Sequence, residues 1–387
     1  MRDSSPIARK EISHLSHLSI ATTKRLIEEL LGERLIVEGG RSSNLRGRKA
    51  SLLRLNREYG YTVGVNIIPG ALEIAALSFA GDIVHRREIT GLQPERNAIL
   101  PLLKEEINRV IEKEGHRKHG ALLGIGIGIA GLVNTRKGMV LFTPNMGGWE
   151  EAALGEELSR SFGSAVIIDD SVRCMALAEK RYGTARKLEN FLYIYIGKGV
   201  GSGFLLDGRI YRGAHGVAGE FGHITIRQNG NICNCGNRGC LEAHVSESRI
   251  IEEVERQIAS KVHSTLAALH EHGDGIKLGD IRDHARRGDK LANLTLNNVS
   301  ENIGVGIADL VNVFDPGVII LGGEVFDTFG DEVCEGIMRT VKLKSLNTIS
   351  SRTSIVRTGV QELAASRGAA TLPLEKYLQN GILNIET

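Results

Sequence analysis

The chain has 387 residues, 42% of them hydrophobic and 24% charged, with a formal net charge of +2. It holds no run of about 18 apolar residues, which excludes a helical membrane span, and M-R-D-S-S-P-I-A-R-K lacks the apolar stretch of a secretory signal. A cytoplasmic protein of two or three domains is expected, with no membrane partner. The charge is uneven: residues 1–58 carry 12 Lys/Arg against 7 Asp/Glu, while the remainder carries 36 against 39. A basic head on a slightly acidic body suggests a nucleic-acid contact at the N-terminal end.

In the head, Ile7, Ile12, Leu15 and Leu18 fit one helical face, and Ile20, Leu26, Ile27, Leu30 and Leu31 fit another, so two short helices are expected between Ser4 and Leu31. Ser19 is a candidate N-cap for the second. That helix starts with Thr22, Thr23, Lys24 and Arg25, where a helix-turn-helix places base-reading and phosphate-contacting groups. An ordinary helical hairpin with a solvated charged face has the same spacing. Two apolar strands then flank a loop carrying Arg41, Arg46, Arg48 and Lys49, like the wing of a winged helix. Arg46-Gly47-Arg48 is similar to the core of an AT-hook, whose arginines enter a narrow minor groove.

After Asn56 the pattern changes to strand, turn, strand, turn, strand, followed by a helical stretch over Glu95–Glu114 and a buried strand in A-L-L-G-I-G-I-G-I-A. Polar residues suited to a polyol follow, Asn145 in T-P-N-M-G-G-W and Asp170 at the end of the apolar strand I-I-D-D. Near Phe191 the plan restarts with F-L-Y-I-Y-I-G-K-G-V-G-S-G. Two such units in tandem predict a duplicated, two-lobed α/β body with a cleft.

Between His223 and Glu242 stand one histidine and three cysteines. His223, Cys233, Cys235 and Cys240 form a candidate ligand set for a structural Zn2+ ion. Gly236 and Gly239 permit the tight turns this needs. Cys174 and Cys334 stand apart and are expected as small buried hydrophobes.

The pattern G-H-x9-C-x-C-G-x2-G-C-x-E, unbroken from Gly222 to Glu242, resembles the signature of the ROK group of sugar kinases and sugar-responsive repressors. The resemblance implies an actin-like, hexokinase-type body with lobes over 57–185 and 186–359, residues 360–387 packing back on the first lobe. It makes 1–56 a winged helix-turn-helix DNA-binding domain of the kind that the repressors carry and the kinases lack. The repressors carry a further helix ahead of the pair, so a thin core is expected for this small domain.

By the same resemblance Asn145, Asp170, Glu220, His223 and Glu242 fall at sugar-contacting positions, with Asp170 at the position of the kinases' base. The kinases read N-D-x-N where this chain has Asp169-Asp170-Ser171-Val172. They open the first lobe with D-x-G-x-T, for which Asn66-Ile67-Ile68-Pro69-Gly70 stands here. The metal-holding aspartate is thus an asparagine, and Pro69 removes a backbone donor. The second phosphate loop, G-K-G-V-G-S-G, is better kept.

The expectation is a non-catalytic regulator that represses sugar-metabolism genes, binding operator DNA as a homodimer or homotetramer and answering to a sugar or amino sugar. The alternative is an ATP-dependent sugar kinase with an appended head.

Overall fold

The computed structural model describes residues 6–41, 51–116, 120–144, 146–272 and 275–383. They divide into two compact units, one of the residues up to Arg181 together with those from Leu363 onward, the other Tyr182–Glu362. Among the described residues no helix is long and apolar enough to cross a membrane.

The first unit opens with β1 (Ile7–Ala8), α1 (Arg9–Ser16) and α2 (Ile20–Gly32), then an antiparallel pair β2 (Ile36–Arg41) and β3 (Ser51–Leu55). His17, in the left-handed region at φ 56, turns α1 into the approach to α2, and the Ser19 side chain caps α2 by accepting the Thr22 N–H. The periodicity placed Ile7 in a helix. It lies instead in β1, opposite Leu53 and fully buried, because the free edge of β3 offers ladder bonds and a dry partner that the frayed start of a helix lacks. The expected apolar face of α1 stays wet: no residue of that helix is fully buried, and Leu15 and Leu18 are exposed.

The head falls within the first unit. Its core of Ile27, Ile36, Leu53 and Leu55 continues into Phe79 and Leu374 of the body, with Tyr59 and Tyr377 packed against it.

The body of this unit runs β4 (Gly60–Ile68), β5 (Ala71–Ser78), β6 (Ile83–Thr90), α3 (Arg96–His116), β7 (Ala121–Ile129), a small pair β8 (Leu132–Asn134) and β9 (Met139–Phe142), α4 (Leu154–Phe162), β10 (Val166–Asp170) and α5 (Ser171–Tyr182). Its sheet has the order β10-β7-β4-β5-β6, with β4, β7 and β10 parallel and β4-β5-β6 an antiparallel meander. β4 is buried through eight of its nine residues, as a central strand covered on both faces must be.

The second unit contains β11 (Phe191–Ile196), β12 (Val200–Leu206), β13 (Arg209–Ile210), α6 (Glu242–Val245), α7 (Glu247–Ala259), α8 (Ala267–His272), α9 (Leu278–Arg286), α10 (Lys290–Phe314), β14 (Val318–Gly322), α11 (Glu324–Phe329), α12 (Asp331–Lys344), α13 (Asn347–Ser350) and β15 (Ser354–Arg357). Its sheet, β13-β12-β11-β14-β15, repeats the topology of the first strand for strand. The duplicated plan read from the two strand-turn-strand segments is therefore present. The core of this unit is the buried side of α10, with Val299, Ile303 and Ile307 packed among residues of β11, β14 and α12.

The chain returns to the first unit through α14 (Ala364–Leu383). This helix packs against β4 and β7 so tightly that a β-carbon at Gly64 or Gly126 would collide with its backbone at Ser366, Ala369 and Ala370. The glycines of the alternating β7 sequence thus serve close approach.

Candidate functional site

The ligand atoms of His223, Cys233, Cys235 and Cys240 all lie within 4.8 Å of one another. Cys235 Sγ is 3.7 Å from Cys240 Sγ, and Cys233 Sγ is 3.7 Å from His223 Nδ1. A tetrahedral ion with Zn–S bonds of about 2.3 Å needs sulfur atoms roughly 3.8 Å apart, so the donor set fits such an ion. The knuckle closes because Gly239 has φ 78 and lies against the Arg227 carbonyl, where any side chain would clash. The thiols respond to this crowding. Burial first, then its neighbouring thiols, push Cys240 up to about 12, and burial likewise raises Cys233. Cys235 is buried least. Burial still opposes its thiolate, but the Asn237 N–H and the other two thiols lower it overall. Cys174 is buried, whereas Cys334 is only half-buried.

His223 divides its ring. Nδ1 faces Cys233, and Nε2 lies 3.9 Å from Glu220 Oε2. A metal on Nδ1 would fix the tautomer and leave Nε2–H to donate. Glu220 is exposed. Glu242 Oε2 accepts the N–H of Val200 at 2.9 Å, and its Oε1 lies 3.9 Å from Cys233 Sγ. Glu220, His223 and Glu242 therefore gather around the metal knuckle in the second unit.

In the first unit Asp170 ends β10, and its Oδ1 caps α5 by accepting the N–H groups of Val172 at 2.9 Å and Arg173 at 3.0 Å. Burial raises its pKa, and the Arg173 charge is the largest influence in the other direction. Asn145 lies outside the described residues. The rest of its loop is anchored by Met146 and Trp149, both in the core, and by the Thr143 hydroxyl, which donates to the Met146 carbonyl at 2.5 Å.

On β4, Asn66 is a side chain already committed. Asn66 is buried; it accepts from Ser171 Oγ at 2.6 Å and donates to Glu73 Oε2 at 3.0 Å. The glycine-rich turn after β11 is covered in space. The Glu324 carboxylate lies over Gly197, where a β-carbon would strike it, and accepts the Tyr195 hydroxyl at 2.8 Å. Glu242 meets the same turn from the other side through the Val200 N–H.

In the head, Lys24 and Arg25 are exposed on the first turns of α2, near Glu28 and Glu29. Thr22 is partly exposed, its hydroxyl 2.9 Å from that of Ser19. Thr23 departs from the sequence expectation: it is buried and its hydroxyl donates to the Ser19 carbonyl, so it presents nothing to a base edge. A threonine beside an N-cap satisfies its hydroxyl locally when it faces the core. Arg46, Arg48 and Lys49 lie outside the described residues.

Sequence reasoning missed three features of the site: Arg173, the Ser171–Asn66–Glu73 chain and Glu324. Only the first had a visible signal, in the i,i+4 spacing of Asp169 and Arg173.

This duplicated α/β body with a His/Cys3 knuckle defines a class of sugar-kinase-like proteins. The sequence profile described as ROK family matches residues 62–376, and the chain belongs to the ROK family. It is 31% identical over 344 residues to a xylose repressor of Caldicellulosiruptor bescii, covering 89% of this chain and 85% of that one. It is 32% identical over 290 residues to a glucokinase of Streptomyces coelicolor, covering 73% of this chain and 87% of the other. A solved ROK family transcriptional regulator, described as a homologue of the Escherichia coli MLC protein, superimposes with a TM-score of 0.83 at 30% identity, covering 99% of this chain and 94% of that one.

Proposed function

We propose that this chain is a sugar-responsive transcriptional repressor whose basic head binds operator DNA and whose body binds a sugar or amino sugar without phosphorylating it. The observation that carries the choice of regulator over kinase is Asn66, neutral and held by Ser171 and Glu73 where a kinase needs a free metal-binding carboxylate. Similarity to the xylose repressor supports the repressor role and makes D-xylose the first effector to try. The exposed Lys24 and Arg25 on α2 support the DNA contact, with Thr22 beside them.

Asp170, Glu220, His223 and Glu242 are the groups proposed to bind the sugar, since carboxylates accept from adjacent hydroxyls and a metal-bound imidazole donates to one. Zn2+ is the proposed ion for His223, Cys233, Cys235 and Cys240, in a structural role. A cytoplasmic homodimer or homotetramer fits the reduced thiols and the two-fold symmetry of operator half-sites.

The test pairs two measurements on the full chain. DNA from upstream of its own coding sequence is titrated by fluorescence anisotropy with and without D-xylose, D-glucose and N-acetyl-D-glucosamine. The same sugars are incubated with Mg-ATP. Specific DNA binding altered by one sugar, without ADP release, is the expected result. Sustained ADP release with a phosphosugar product would establish the kinase alternative, which the glucokinase similarity keeps in view.

A further inference from the structure

Beneath Asp170 lies a buried ion pair that the proposed sugar chemistry does not by itself require. Asp169 is 0% and Arg173 2% exposed, and Arg173 Nε donates to Asp169 Oδ1 at 2.6 Å. The same oxygen accepts the N–H of Asp170 at 2.9 Å and the hydroxyl of Thr135 at 3.3 Å. Asp169 therefore holds both the backbone of Asp170 and the side chain of Arg173. One turn on, the N–H of Arg173 joins that of Val172 on Asp170 Oδ1. These contacts join Asp169, Asp170 and Arg173 at the β10–α5 junction. Asp170 Oδ2 has no hydrogen bond from the protein among the described residues.

A buried ion pair is a poor stabilising device. Desolvating both charges costs as much as their attraction returns, and neutral side chains of similar shape often do as well. The Arg173 guanidinium, one bridging oxygen away from the Asp170 backbone, has a local consequence instead. Burial disfavours the Asp170 carboxylate, and Arg173 is the strongest influence preserving it. A protonated Asp170 would offer a hydroxyl donor where the ionised group offers only acceptors.

We propose that Arg173 is a positioning residue for effector binding: its guanidinium holds the Asp169 oxygen that in turn fixes the backbone of Asp170, so that Asp170 Oδ1 stays on the cap of α5 and Oδ2 is left for a sugar hydroxyl. The inference rests on the proposed sugar-binding role of Asp170.

The experiment uses the full-length protein, with D-xylose, D-glucose and N-acetyl-D-glucosamine titrated calorimetrically and thermal stability measured in parallel. Arg173→Met alone should lower both the melting temperature and the affinity for the cognate sugar, the latter by about tenfold or more, because it removes the positive charge that the buried Asp169 carboxylate faces and loosens its hold on Asp170. The discriminating variant is Asp169→Asn/Arg173→Met, which removes both charges. It should recover the melting temperature and still bind sugar about tenfold more weakly than the wild type. Arg173→Lys, which keeps the charge, should restore most of the affinity. Wild-type affinity in the folded double variant would show that the pair only holds the fold, and loss of sugar binding in a folded Arg173→Lys protein would show that its charge is not what serves Asp170. Silence of the wild type toward all three sugars would sink the sugar-binding role itself, and the inference with it.

Discussion

Ser171 donates its hydroxyl to Asn66 Oδ1 at 2.6 Å, joining the first residue of α5 to the middle of the sheet. The amide of Asn66 completes the chain by donating to Glu73 at 3.0 Å. An aspartate at 66 would resemble the kinases' phosphate-loop sequence more closely, yet it would set a second carboxylate against Glu73 in a buried site. Asn66→Asp should therefore destabilise the protein by about 1–3 kcal/mol, the cost of an unmade buried hydrogen bond, and confer no ADP release. Adding Glu73→Gln returns a donor to the pair and should recover most of that loss in urea unfolding. Full stability of the single variant would show that the contact carries little.

The metal knuckle makes a prediction about protons. Cys240, at about 12 without metal, and Cys233, also raised, must both release a proton to become ligands. Zinc uptake at neutral pH should acidify a weakly buffered solution, and apparent affinity should climb between about pH 6 and 8 by up to roughly tenfold per unit for each thiol. Competition with a chromophoric chelator measures it, and a flat profile would contradict thiolate ligation. Cys235→Ser should leave the purified protein short of metal by elemental analysis and expose the 223–242 segment to protease.

Much of this was legible in the sequence because it repeats or is locally spaced. The metal set lies within eighteen residues, and the Ser19 cap precedes a 3.6-residue pattern by one position. The two sheets announce themselves through matching strand-turn-strand segments. What escaped were contacts across sequence distance. Ser171 meets Asn66 from 105 residues away, and Glu324 meets Tyr195 from 129. Thr23 escaped for another reason: helical spacing identifies a face but does not say which side the body covers, and Ile20, counted as apolar core, is 74% exposed.

Asp289 predicts an acid-dependent loss of stability in the second unit. It caps the 25-residue α10 through the Ala292 N–H at 2.9 Å and accepts the Thr265 N–H at 2.6 Å, the Thr265 hydroxyl at 2.9 Å and the Ser264 hydroxyl at 3.0 Å. Burial alone would raise its pKa, but these four donors lower it below the ordinary value. A folded-state pKa below the unfolded one means the stabilisation is complete above the ordinary aspartate value near 4. It fades as pH falls below that toward the folded value. Asp289→Ala should cost about 2–3 kcal/mol at pH 7, and the gap to wild type should narrow on acidification. Unfolding of both proteins at several pH values checks the slope as well as the size.

The head makes the last prediction, because its interior is completed by the body. Ile27, Ile36, Leu53 and Leu55 close over Phe79 and Leu374, and α1 contributes no fully buried residue. Tyr59, Phe79 and Tyr377 form an aromatic trio with ring centroids 4.8 to 6.2 Å apart, and the two tyrosine hydroxyls share a hydrogen bond. Burial, and then Tyr59, push Tyr377 up to about 12, so the Tyr377 hydroxyl keeps its proton throughout the physiological range. A fragment of residues 1–58 lacks Phe79, Tyr59 and the whole of α14, and below about 60 residues a core so reduced rarely folds alone. Its circular dichroism should be that of an unfolded chain, and Leu374→Ala in the full protein should cost about 2–5 kcal/mol. The loss should appear first as faster amide exchange in α2, β2 and β3, ahead of β4 and β7. A folded fragment that binds DNA with the affinity of the full chain would show instead that the head stands without α14.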